Sequence, residues 1–138
     1  MHELTRLMLA AACTMALTPV LAQDYVTWND DGTVTLRTPE EYEGEFTIPQ
    51  AMLGALFAPG EQPFAGEEVT ILTLDSGPKG GISGPLYAFR PMWEELTGAT
   101  LTIALTPISE LYTKTFLDLR NGTGEYDAMM AGAFFYGD

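Results

Sequence analysis

The chain has 138 residues and one cysteine, and its 19 acidic against six basic side chains give a formal net charge of −13. So acidic a surface repels phosphate backbones, and the basic residues beyond the N-terminal segment (Arg37, Lys79, Arg90, Lys114 and Arg120) are scattered rather than clustered, which excludes nucleic acid as a partner. The acidity reads as solubility.

Residues 1–22 hold Arg6, an apolar run over 7–17, Pro19, and then Val20, Leu21 and Ala22, the order of parts that a secretory signal requires. An apolar run of 11 residues is too short to cross a bilayer core, which takes about 20, and Cys13 and Thr14 interrupt it. The expectation is a signal peptide cleaved after Ala22 and a periplasmic protein. Cys13 offers a lipoprotein alternative, disfavoured because Ala10 stands where a leucine-like residue belongs. Cleavage removes one acid, Glu3, and one base, Arg6, and leaves a chain without cysteine, hence without disulfides or thiol catalysis.

Residues 23–68 read as an N-terminal extension. The β-prone runs 25–28 and 33–37 flank Asn29, Asp30, Asp31 and Gly32, which is hairpin chemistry. The stretch 48–57 (IPQAMLGALF) reads as a short helix with Pro49 in its first turn, stopped by Pro59 and Gly60. The extension is either an arm wrapped on the following domain or part of a binding surface.

From residue 69 the pattern becomes α/β. Residues 69–74 (VTILTL) are nearly continuously apolar, as in a strand covered on both faces. The loop 75–84 follows, where four glycines and a proline permit close approach to a ligand. A helix then starts at Pro85 with Leu86, Phe89, Trp93 and Leu96 on one face and Gly98 as its stop; Pro91 predicts a kink or restart near Arg90. Residues 101–105 (LTIAL) are the next strand. Pro107 opens a second helix whose core face is Ile108, Leu111, Tyr112, Thr115, Phe116 and Leu119, closed by Asn121 and Gly122. Residues 127–131 form a third strand, and 132–138 is the loop leaving it. The order predicts a parallel βαβαβ start, with ligands beyond the carboxyl ends of the strands.

The chemistry-bearing residues are few. The sole histidine, His2, lies in the signal segment, so neither a metal cluster nor a Ser–His pair is available near Asp75 and Ser76. The glycine loop lacks the phosphate-cradle pattern. An enzyme is thus unsupported by the residues, and neither a cofactor nor a metal is expected. Lys79 can donate charge-assisted hydrogen bonds to hydroxyls from the loop after the first strand, or stand solvated. Phe134, Phe135 and Tyr136 offer flat faces for stacking, or pack against further chain. Met92 and Trp93 read as core.

The strand VTILTLD, the loop SGPKGGISG, the joint MWEELTG–ATLTIAL, the helix ELYTKTFLDLRNGTGEYD and the strand AMMAGAF, taken in order over residues 69–138, resemble the extracellular solute-binding proteins of ABC importers, in particular the sugar-binding, maltodextrin-binding-like group. The resemblance implies a partial lobe of the periplasmic-binding-protein type II kind, with a second lobe and hinge lying beyond Asp138. It implies a monomer that captures a sugar and delivers it to ABC permease subunits in the inner membrane. It also implies ligand contacts at Ser76 and Lys79 after the first strand, and at Phe134, Phe135, Tyr136 and Asp138 after the third. An amino acid or polyamine as solute, a periplasmic α/β enzyme or sensor, and a self-contained structural domain are the alternatives.

Overall fold

The computed structural model describes residues 24–132. The signal-peptide expectation and the positions Phe134, Phe135, Tyr136 and Asp138 lie outside them.

The first unit is an antiparallel meander of β1 (Val26–Trp28), β2 (Thr33–Arg37) and β3 (Glu45–Pro49), in the order β1-β2-β3. Gly32 supplies the positive φ of 80° that its turn needs, and Asp31 Oδ1 accepts from both the amide (3.0 Å) and the hydroxyl (2.6 Å) of Thr33. Those two donors hold the Asp31 carboxyl below its ordinary range. Across the strands Arg37 donates to Glu45 Oε2 at 2.7 Å and to Thr27 Oγ1 at 2.7 Å. A 3₁₀ turn, Glu40–Tyr42, joins β2 to β3 and ends on Glu43 at φ 51°, a left-handed backbone that a non-glycine side chain rarely adopts.

The helix expected over 48–57 is not formed. Ile48 pairs with Val34 as part of β3, and only Gln50–Leu53 coils, as a single 3₁₀ turn closed by Gly54. Four residues between a proline and a glycine cannot repay helix nucleation, whereas strand pairing seats Ile48 against the core.

The second unit is a parallel sheet of β4 (Glu68–Leu74), β5 (Thr100–Thr106) and β6 (Ala128–Met129) in the order β5-β4-β6. Helix α1 (Gly84–Thr97) connects β4 to β5, and α2 (Ile108–Asn121) connects β5 to β6. The ladder runs in step from Glu68 opposite Thr100 to Leu74 opposite Thr106, with Ile71 and Leu72 opposite Ala128 and Met129 on the other side. Central β4 accordingly buries Leu72 completely.

Helix α1 is one continuous element through Pro91, so of the kink or restart expected there the restart does not occur. Its buried positions are Gly84, Ala88, Met92 and Thr97: Met92 lies in the core as expected, whereas Leu86, Phe89, Trp93 and Leu96 are not fully buried. Met92 enters a core with Val26, Val34 and Leu36, flanked by Tyr25, Trp28, Ile48, Leu53 and Leu96. Meanwhile Leu86, Phe89 and Trp93 line a cleft of about 240 Å³ against Val69, Ile71 and Leu101. The helix therefore has an apolar surface on two sides, one toward each sheet.

The joint after α1 uses both acids of the Trp-Glu-Glu segment. Glu94 Oε1 accepts from the Leu101 amide at 2.8 Å, and Glu95 Oε2 from the Tyr25 amide at 2.7 Å, so each carboxylate holds the backbone of a different sheet region. Gly98 caps the helix at φ 74°, where a Cβ would lie 2.8 Å from Gln62 Cβ and 3.0 Å from Ala65 Cα. The segment before β4 folds over this cap, with Phe64 donating to Thr97 O and Gly66 to Gly98 O.

In α2 the buried stripe is Leu111, Thr115 and Asp118. Ile108 and Leu119, expected in the core, are 58% and 63% exposed, and Phe116 stacks on Tyr112 with centroids 4.4 Å apart instead of burying. Spacing of four and then three residues yields a narrow seam rather than the wide face that the apolar pattern implies.

Truncating Met92 to alanine leaves a cavity between α1 and the meander, and the expected loss is about 2–5 kcal/mol. Denaturant unfolding measures it. A loss below about 1 kcal/mol would show that the meander does not depend on α1.

Candidate functional site

At β4 the chain reverses its lateral direction, going out to β5 and then back past β4 to β6. Such a reversal leaves a crevice at the carboxyl ends of the strands, where open parallel sheets place their ligands. The loop 75–83 and the exit from β6 meet there.

The loop is glycine-rich but internally stapled. The Asp75 amide donates to Thr106 O at 2.9 Å, and Asp75 Oδ1 accepts from the Gly77 amide at 3.0 Å. Ser83 is fully buried and its hydroxyl donates to Gly77 O at 2.8 Å. With that proton committed, the 3.0 Å contact between Ser76 Oγ and Ser83 Oγ has Ser76 as donor. Ser76 Oγ also accepts from the amides of Ser83 (3.0 Å) and Ile82 (3.3 Å). Gly80 tucks beneath this knot, where a Cβ would lie 1.9 Å from Ser76 O. Ser76 therefore spends its hydroxyl inside the loop.

Two concavities flank the loop. Toward β6 lies a cleft of about 420 Å³ lined by Ile71, Thr73, Gly81, Ile82, Leu86, Ala128, Met129 and Met130, in which the Thr73 hydroxyl lies 3.6 Å from Met130 Sδ. Toward the meander lies a larger one of about 540 Å³, and Lys79 lines this one, together with Glu41, Tyr42, Phe46 and Phe89. The structure thus places Ser76 and Lys79 on one loop but does not bring them to a common contact point. Tyr42 and Phe46 had no sequence signal. Tyr42 donates its phenolic proton to Pro78 O at 2.8 Å across 36 residues, a separation at which no local periodicity operates.

The approach to β6 explains the Gly-x-Gly-x-Tyr-Asp segment. Gly122 and Gly124 both have positive φ, 60° and 63°. Asp118, on the buried seam of α2, accepts the Thr123 hydroxyl and the Glu125 amide, the latter at 2.8 Å, and these bonds hold its carboxyl below the ordinary range. Asp127 Oδ2 accepts from the Thr70 amide at 2.8 Å while the Asp127 amide donates to Thr70 O, which sets β6 in register with β4. The Tyr126 phenol, hydrogen-bonded to Glu125, is raised above its usual value by that carboxylate.

Among the described residues no group of three or more His, Cys, Asp or Glu side chains is placed to hold a metal ion, and no helix is long and apolar enough to cross a membrane.

No family model matches the chain, and no solved structure matches it. Over 51 residues it is 44% identical to the erythritol/L-threitol-binding protein of Mycolicibacterium smegmatis (strain ATCC 700084 / mc(2)155), an alignment covering 35% of this chain and 11% of that protein. The chain thus spans about a tenth of the length of this relative.

Replacing Ser76 with alanine deprives two amides of their acceptor and Ser83 of its donor, and should cost about 1–3 kcal/mol in chemical denaturation. Asp118 gives a pH test. Its folded pKa lies below the unfolded value near 3.8, so its contribution is present above that pH and is lost as pH falls through the folded pKa. Asp118→Asn should therefore be less stable than the parent at pH 7, with the gap closing below about pH 4. A gap independent of pH would assign the Asp118 effect to shape alone.

Proposed function

We propose that this chain supplies part of the N-terminal α/β lobe of a periplasmic solute-binding protein that captures a carbohydrate or related polyol and delivers it to an ABC permease, acting without catalysis or cofactor. The observation that carries the reading is the 44% identity over 51 residues with a protein named for binding erythritol and L-threitol. Two features support it. The stapled glycine loop presents backbone and Lys79 to the concavity that it shares with the meander, as a preformed small-molecule site requires. Sugar and polyol hydroxyls each donate and accept, so they suit a site of mixed hydrogen-bonding character in an otherwise apolar concavity.

The test uses the protein as its genome encodes it, including any sequence continuing in frame past Asp138. Thermal shift and calorimetry are run with erythritol, L-threitol, D-glucose, maltose, spermidine and L-phenylalanine. A polyol or sugar at about 100 times its dissociation constant should stabilise the protein by about 2.7 kcal/mol. A response to spermidine or L-phenylalanine alone sinks the carbohydrate reading, and silence to all six sinks solute capture.

A further inference from the structure

The concavity of about 540 Å³ between the meander and the glycine loop has walls from two separate parts of the chain, and its size falls within the range of small-molecule sites, about 300–1,000 Å³. We propose that the solute is held in this cleft, so that residues 38–46 of the N-terminal meander form one wall of the binding site; this rests on the carbohydrate reading above.

Three observations bear on it. Phe46 on β3 and Phe89 on α1 meet edge to face with centroids 6.1 Å apart at 73°, yet remain 38% and 47% exposed. An aromatic pair left this open inside a concavity is an apolar platform without a cover, suited to the C–H face of a sugar or polyol. Glu41 and Lys79 line the same cleft, and neither has a hydrogen-bond or ion-pair partner among the described residues. One group only accepts and the other only donates, which matches a neutral ligand whose hydroxyls do both; a cation would meet the lysine charge, and an anion the glutamate charge. Lastly, the walls are tied together. The Tyr42–Pro78 bond spans them, and the left-handed turn at Glu43 redirects the chain from Glu41 and Tyr42 into β3, which carries Phe46. The Tyr42 oxygen donates its proton to Pro78 and keeps its lone pairs for a ligand hydroxyl.

Glu41 and Phe46 belong to the meander wall alone, so their substitution separates this cleft from the crevice beside β6. Calorimetry with erythritol, L-threitol and D-glucose compares the parent protein with Glu41→Ala and Phe46→Ala. Each substitution should weaken the tightest-bound of the three by about tenfold or more, with the melting temperature of Glu41→Ala unchanged because the side chain is exposed and unpartnered. Parent-like affinity in Glu41→Ala overturns the cleft assignment while leaving carbohydrate capture intact. If Phe46→Ala does not fold, Glu41→Ala decides alone. If the parent binds neither the three nor maltose, both proposals fall, and L-phenylalanine, titrated alongside, reassigns the cleft to a zwitterion and overturns the polyol assignment if it binds the parent more tightly.

Discussion

The burial of Met92 against Val26, Val34 and Leu36 is the contact on which the relation between the two sheets depends. A small meander becomes stable in water when its hydrophobic face is covered or a helix packs against it, and α1 supplies that packing. The same helix reaches the parallel sheet with Leu86 and Trp93, and its last turn extends one carboxylate to each side, Glu94 to β5 and Glu95 to the start of β1. Charged groups thereby satisfy backbone donors that regular strand pairing leaves over, and hydrogen bonds of that charge-assisted kind are about twice as strong as neutral ones.

The same economy governs the glycine loop. Glycine content alone reads as freedom of movement, yet the hydroxyls of Ser76 and Ser83 turn the segment into a closed knot, and Gly80 is required because a side chain has no room there. A preorganised loop gains affinity by losing little entropy when a ligand arrives. Rigidity also explains why Ser76 and Lys79, three residues apart, serve different ends: the first holds the loop, and the second projects from it.

Local chemistry made much of the fold legible. The run VTILTL, the proline-led starts of both helices, Gly98 and Gly122 as stops, and the Asn-Asp-Asp-Gly turn each announce themselves through dihedral preference or apolar spacing. What escaped depended on partners distant in sequence. Ile48 joins a strand rather than a helix because Val34 is waiting for it, and Phe89 stays 47% exposed although apolar spacing alone places it on the core face. The candidate site divides in the same way: Lys79 is visible from its loop, whereas Tyr42, Glu41 and Phe46 reach it only through a fold that no window of neighbouring residues encodes.

The bond from the Tyr25 amide to Glu95 spans 70 positions. On a ribosome adding about 5–20 residues per second, the first strand emerges several seconds before the carboxylate that secures it, and before Met92 as well. During that interval the meander's apolar face, with Val26, Val34 and Leu36, has no native cover. The N-terminal meander of this protein is thus made well before the residues that fasten it.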